Sequence, residues 1–160
     1  PSRSVVDMSV DTMARLFELK NIVGVKDATG DLNRVDQQKE KMGPDFMQLS
    51  GEDATALEFN MRGGVGCISV TANIASKLCS EFQEASLSKN NSNLLAKAKE
   101  INDKLMPLHK SLFIESSPSP VKYAASILNL CSEEVRLPLV KITDETKKAV
   151  KLAMTHANLI

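Results

Sequence analysis

The sequence has no tryptophan, one tyrosine and only three cysteines in 160 residues. Cys67, Cys79 and Cys131 are widely spaced and odd in number, which argues against both a zinc site of paired cysteines and a disulfide framework. We therefore expect buried thiols that form no disulfide. That pattern is typical of a reducing compartment, so we expect a cytoplasmic protein.

Neither sign of charge is in excess, because 20 Lys and Arg residues balance 20 Asp and Glu residues. This balance gives no reason to expect nucleic acid or an anionic membrane surface as a partner. No apolar run approaches the roughly 20 residues that a membrane-spanning helix needs, and no signal peptide is visible. The 42% hydrophobic content is enough to build the core of one ordinary domain.

Glycine is missing after Gly66, although seven glycines lie at or before that position. Since glycine marks tight turns and close backbone approach, the first part is predicted to contain strand–turn–helix units. The remainder is predicted to form long helices with short joints. Apolar residues from Leu94 to Leu112 follow one another at steps of four and three, which predicts one such helix.

Three short apolar runs bounded by turn residues predict buried strands at 22–26, 46–51 and 66–71. Helical patterns lie between them, which indicates an α/β fold with a parallel sheet. Three such units cannot close a (β/α)₈ barrel, which needs eight strands. The chain is therefore either a small open sheet or the later part of a barrel.

Lys26 is the leading candidate for chemistry, because it ends the first predicted strand, where α/β folds carry their functional groups. A lysine amine attacks carbonyl carbons once desolvation or a nearby cation has lowered the pKa of its ammonium form. The end of a buried strand would supply that desolvation. The alternative is a surface lysine at the edge of the sheet.

Two further features could bind an anion, but each also has a simpler structural explanation. Arg3 has a planar guanidinium suited to a substrate carboxylate, but most arginines are solvated surface charges. The glycine-rich loop 63–66 could cradle an anion. A strand rather than a helix follows this loop, which favours a simple turn between a helix and a strand.

Acidic residues and histidines supply the other candidates. Asp27, Glu52 and Asp53 lie just past predicted strand ends, where they could act as acids or bases, although capping is the expected role for the latter two. His109 and His156 have no partner at metal-ligand spacing. We interpret both histidines as helix-surface residues.

Five motifs together resemble the dihydrodipicolinate synthase family, within the N-acetylneuraminate lyase superfamily of class I aldolases. Residues 24–30 resemble the Schiff-base lysine motif of that family, and residues 1–4 resemble its arginine motif. The other motifs follow in the family's order and spacing, at 49–54, 63–73 and 118–122. The resemblance extends from residue 1 to about residue 139.

The resemblance implies a fold. The family has a (β/α)₈ TIM barrel followed by an α-helical domain, and it usually assembles as a homotetramer. Placed on that fold, this chain is the carboxyl-terminal portion only: about three parallel strands with their helices at 1–89, then a three-helix domain at 90–160.

The resemblance also implies an activity. The family joins pyruvate to aspartate-4-semialdehyde and forms 4-hydroxy-tetrahydrodipicolinate in the diaminopimelate route to lysine, with no cofactor or metal. Lys26 would form an imine with pyruvate, and Arg3 would hold the carboxylate of the semialdehyde. Gly51 and the backbone at Ile68 would line the pyruvate pocket.

The proton-relay residues and the lysine feedback site of the family precede its arginine motif. We therefore expect this chain to be inactive by itself, and to pair with the missing amino-terminal half of the barrel or to self-associate. Two alternatives remain: another pyruvate-dependent aldolase or lyase of the superfamily, and a non-catalytic oligomerisation fragment.

Overall fold

Strands and helices alternate early in the chain, and helices alone follow. The computed structural model describes residues 4–160, which divide into two units with the boundary between residues 68 and 69. The helices and strands, in chain order, are α1 (Val10–Phe17), β1 (Gly24–Asp27), α2 (Asn33–Met42), β2 (Met47–Ser50), α3 (Ala56–Arg62), α4 (Ser76–Leu87), α5 (Ser92–Ser111), α6 (Ser119–Ile127) and α7 (Asp144–His156).

The sheet of the first unit is parallel, as predicted. β1 pairs with β2 in a register that sets Lys26 opposite Leu49. The predicted third strand is reduced to one parallel bridge between Ser50 and Cys67, in which Ile68 N–H donates to the carbonyl of Ser50 at 2.8 Å. The α/β class and the parallel βα units are therefore confirmed.

The extension of the third strand to residue 71 is wrong. The N–H of Ala72 donates to the hydroxyl of Ser69 at 2.9 Å. This contact folds the backbone into a 3₁₀ turn at Thr71–Asn73. Serine competes well for backbone donors in turns, and that local bond replaces the strand pairing that the apolar pattern suggested.

The regular elements of the second unit are helices, as predicted from its lack of glycine, but the prediction of short joints is wrong between α6 and α7, where residues 128–143 form no helix or strand. α5 runs for 20 residues and continues through Pro107. Its apolar stripe meets α7 in a core whose largest members are fully buried. Those members are Leu105, Leu108, Leu112, Val150 and Met154.

The predicted domains, 1–89 and 90–160, stay a prediction, because the boundary at residue 68 divides this chain by compactness and does not test where a whole barrel would end. Among the described residues, no helix is long and apolar enough to cross a membrane. The expectation of buried thiols holds for Cys79 only. Cys67 is half-buried, and Cys131 is exposed because it lies in the irregular segment after α6.

Candidate active site

Lys26, Gly51 and Ile68 lie on one face of the small sheet. Side chains alternate along a strand, so Lys26 shares its side with its register partner Leu49, and Gly51 follows two residues later. The bridge between Ser50 and Cys67 then sets Ile68 beside Gly51. We call this side, with Lys26, Leu49, Gly51 and Ile68, the open face. Three of the four predicted site residues therefore come together at the carboxyl ends of the strands.

Glycine is required at position 51 by its close neighbours. A Cβ at this position would lie 2.6 Å from Cε of Lys26 and 2.8 Å from Cβ of Ala28. Both distances are shorter than carbon atoms tolerate. The side chain of Lys26 therefore crosses the end of β2 through space that only glycine leaves open.

One of the two backbone polar groups of Ile68 already has a partner within the sheet. Its N–H is donated to Ser50 within the sheet, so the carbonyl and the side chain are what it offers to a ligand. The side chain is 51% exposed on the open face. If the backbone at this position lines a pocket, as predicted, only its carbonyl can accept a hydrogen bond from a ligand, because the N–H is already used.

The side chain of Lys26 is exposed, so the expectation that the strand end alone would desolvate it is wrong. β1 pairs only with β2 among the described residues. Met47 on the same side is 49% exposed. Desolvation of the amine would need additional structure over this face.

Asp27 is the neighbour of Lys26 but faces the opposite side, toward α2. It is 7% exposed. One carboxylate oxygen accepts the N–H and hydroxyl of Thr29 at 2.9 and 2.6 Å. The other oxygen accepts Nε of Arg34 at 3.0 Å and the Gln38 amide at 3.1 Å.

These contacts determine the ionisation of Asp27. Burial by itself would raise the pKa of Asp27, but the hydrogen bonds from Thr29, the charge of Arg34 and the Gln38 amide together lower it below its ordinary value. The carboxylate is held ionised, with both oxygens occupied, on the side away from Lys26. This geometry favours a structural role over the acid or base role considered from the sequence.

Arg34 was missed by the sequence analysis. It is 8% exposed, and besides Asp27 it donates to the carboxylate of Asp7 at 2.7 Å and to the carbonyl of Met8 at 2.6 Å. The signal was the composition of α2, whose sequence NRVDQQKEKM has one strongly apolar interior residue, Val35. Because α2 has so little apolar surface, it must cover the sheet with polar side chains. Buried polar side chains need hydrogen-bond or charged partners.

The remaining candidates have structural explanations. The side chain of Glu52 accepts the N–H of Ala54 at 3.3 Å, which confirms its predicted capping role. Asp53 is buried and accepts the thiol of Cys67 at 3.8 Å. Gly63 is the C-cap of α3, as a simple turn requires.

Of the two histidines, His156 is exposed as predicted, but the surface assignment of His109 is wrong. His109 is 5% exposed, and its Nδ1 lies 2.7 Å from the hydroxyl of Thr71. It belongs to the buried face of α5, where a polar side chain persists because it has a hydrogen-bond partner. Arg3 lies outside the described residues. Within residues 4–160, no cluster of His, Cys, Asp and Glu could hold a metal ion.

Comparisons with known proteins point to one family. The model of the dihydrodipicolinate synthetase family matches residues 1–157. The chain is 69% identical over 160 residues to 4-hydroxy-tetrahydrodipicolinate synthase of Pelagibacter ubique, covering all of this chain and 54% of the relative. The corresponding synthase of Parvibaculum lavamentivorans is 58% identical over the same 160 residues, with the same coverage.

Solved structures give the same result. Dihydrodipicolinate synthase from Aquifex aeolicus has a TM-score of 0.92 at 36% identity, covering 99% of this chain and 53% of that one. The enzyme from Acinetobacter baumannii in complex with pyruvate has a TM-score of 0.90 at 40% identity, covering 98% and 52%. This chain thus spans about half the length of the proteins that it matches.

Proposed function

The chain belongs to the dihydrodipicolinate synthetase family, and we propose that it carries the imine-forming half of a lyase that condenses pyruvate with aspartate-4-semialdehyde. The product would be 4-hydroxy-tetrahydrodipicolinate, on the diaminopimelate route to lysine. The observation that carries the proposal is the placement of Lys26 on the open face, with its side chain across Gly51 and Ile68 alongside.

The first chemical step belongs to Lys26. Its neutral amine attacks the ketone carbon of pyruvate, and loss of water leaves a protonated imine. The iminium nitrogen then accepts the electron pair that is released when a proton leaves the methyl carbon, which gives an enamine. Carbanion character is thus stabilised without a cofactor, by a positive charge that the lysine itself provides.

Carbon–carbon bond formation follows. The enamine carbon attacks the aldehyde carbon of the second substrate, and the aldehyde oxygen takes up a proton. The amino group that came with the semialdehyde then attacks the imine carbon, closes the ring and expels the Lys26 amine. In this scheme Arg3 holds the carboxylate of the semialdehyde through two parallel hydrogen bonds.

The same geometry supports the proposal that this chain is inactive by itself. An ammonium group in water must lose its proton and its hydration before it can attack a ketone, and the side chain of Lys26 is exposed. We propose that the rest of a barrel covers the open face. The homotetramer, the cytoplasmic location and the domains at 1–89 and 90–160 are further parts of this proposal that rest on the family resemblance.

The alternatives differ in their support. The exposure of Lys26 is what favours a non-catalytic assembly fragment. Another pyruvate-dependent aldolase of the superfamily is less well supported, because the relatives at 58–69% identity are named as the synthase.

Borohydride trapping with pyruvate tests the proposal. The chain would be studied alone and after fusion to the part of the Pelagibacter ubique relative that it does not cover. We expect the fused protein to give a reduced pyruvate adduct on Lys26 by mass spectrometry, together with synthase turnover, and the chain alone to give no turnover.

Two variants sharpen the experiment. Lys26→Arg should abolish the adduct and lower turnover by roughly 10³-fold or more, whereas Lys20→Arg, at an exposed position in the same unit, should change neither. A fused protein that folds, yet forms no adduct on Lys26, would overturn the proposed function. Turnover by the 160-residue chain alone would overturn the proposal that it is incomplete.

A further inference from the structure

The irregular segment at 128–143, between α6 and α7, borders a cleft. The segment is folded back on itself, because Lys141 pairs with Glu133 at 2.9 Å. A turn within it is closed by the N–H of Leu139, which donates to the carbonyl of Arg136 at 3.0 Å. The segment and the start of α6 together line a cleft of about 480 Å³. That volume lies in the range of small-molecule sites, about 300–1,000 Å³.

Two cationic side chains line this cleft, one from each wall. Lys122 lies in the first turns of α6 and is half-buried, whereas Arg136 lies in the irregular segment and is exposed. Within residues 4–160, neither side chain forms an ion pair. The carboxylate of Glu133 is already paired with Lys141. Both cations of the cleft are therefore available to a ligand.

One carboxylate limits the charge that the cleft can accept. Glu134 also lines it, so two cations and one carboxylate leave a single positive charge in excess. The start of α6 adds the positive end of a helix dipole. A singly charged anion complements this arrangement, whereas Glu134 would repel an anion that carries more charge.

Apolar groups complete the lining and favour an organic ligand. Pro118, Val135 and Leu139 border the same cleft, so a hydrocarbon chain could bury surface against them. The planar guanidinium of Arg136 matches a carboxylate through two parallel hydrogen bonds, and Lys122 supplies a second charge. Inorganic anions would use the charges of this cleft but not its apolar wall.

We propose that this cleft binds a short-chain organic monocarboxylate, held between Lys122 and Arg136. The bound carboxylate links α6 to the irregular segment, so binding should also stabilise the segment. This inference does not rest on the proposed function, because it uses no residue of the open face. The 160-residue chain by itself is sufficient to test it.

Isothermal titration calorimetry of the chain with butanoate tests the proposal. The neutral isostere butanamide and inorganic phosphate are titrated beside it at constant ionic strength, because salt screens exposed charges. We expect saturable binding of butanoate with a Kd of about 1 mM, and binding of butanamide and phosphate at least about fivefold weaker. Butanoate should also slow amide hydrogen exchange in peptides covering residues 128–143.

Charge variants assign the site. Arg136→Gln and Lys122→Gln should each weaken butanoate binding by about fivefold, and Glu134→Gln should strengthen it. Lys151→Gln is the matched control, because it removes one positive charge from an exposed position on α7 that does not line the cleft. It should leave the affinity unchanged.

Three results would overturn the proposal. They are the absence of saturable butanoate binding, equal binding of butanoate and butanamide or phosphate, and equal weakening by Arg136→Gln and Lys151→Gln. None of these results bears on imine formation at Lys26, which the borohydride experiment tests separately.

Discussion

Lys26 and Asp27 are adjacent in β1, yet the first side chain is exposed and the second is 7% exposed with four hydrogen bonds. Gln48 on β2 repeats the contrast, since it lies on the side of Asp27, is buried and donates to the carbonyl of Val35 at 3.1 Å. Met47, one residue earlier, is half-exposed on the open face.

The difference reflects where the covering structure comes from. The opposite side of the sheet, with Asp27 and Gln48, is buried, and we call it the covered face. It is packed by α2, which directly follows β1 along the chain, so the local βα unit completes it. In a (β/α)₈ barrel, the inner face of each strand is covered by side chains of strands that are far apart in sequence. This chain spans about half the length of the proteins that it matches, and the residues proposed for chemistry lie on the exposed face of its sheet.

The covered face should be the more sensitive to the loss of a single charge. Arg34→Met leaves the carboxylate of Asp27 buried without its cation, and removal of one partner of a buried ion pair costs about 3 kcal/mol. We expect the free energy of unfolding of the first unit to fall by that amount, measured by urea denaturation.

Arg62→Met is the control for this comparison. Arg62 also pairs with two carboxylates, Asp36 and Glu58, each at 2.9 Å, but these pairs lie at the surface. Water and salt screen such pairs, so only a small change is expected. Equal losses for the two variants would contradict the distinction between a buried network and a surface one.

The open face should respond more in activity than in stability. Gly51→Ala introduces a methyl group 2.6 Å from Cε of Lys26 and 2.8 Å from Cβ of Ala28, so the side chain of Lys26 must move and some stability is lost as well. A displacement of about 1 Å at a reacting group can cost about 10²-fold in rate. We expect that loss in the turnover of the fused protein, with a weaker borohydride adduct.

Gly43→Ala separates backbone strain from the steric effect. Gly43 has φ of +81° and open space around its missing side chain, so an alanine there strains the backbone and meets no neighbour. This variant should be somewhat less stable and fully active. Activity loss in both variants would mean that Gly51 acts through general destabilisation.

The smallest expected effect is on the pH dependence of stability, which should change for a variant on the covered face and not for one at the exposed surface. The folded pKa of Asp27 lies below its ordinary value of 3.8, so the unfolded chain takes up a proton first as pH falls. The stabilisation is therefore complete only above about pH 5, begins to fall near the ordinary pKa of 3.8, and is lost as pH falls through the folded pKa. Asp27→Asn cannot titrate at this position. Its urea midpoint should consequently fall less between about pH 5 and pH 3 than that of the unmodified chain, whereas exposed Asp45→Asn should keep the original slope.

Much of the architecture followed from local patterns. The parallel strands at β1 and β2, the long α5 and the cap at Glu52 were all predicted, because each depends on spacing or on a contact within a few residues. The third strand was predicted too long, since nothing in its apolar pattern revealed the hydrogen bond from Ala72 to Ser69. His109 was misplaced for a related reason, because its partner Thr71 lies 38 residues away.

The sequence by itself determined the family, the position of Lys26 at a strand end, and the need for glycine-containing turns before residue 66 and helices after it. These are local or motif-level properties, which a linear pattern records. Only the tertiary structure decided that Arg34 is buried and joins Asp7 to Asp27, and that Lys26 is exposed while its neighbour is covered. Both depend on which surfaces meet across the fold, because burial and charge pairing are set by neighbours in space rather than along the chain.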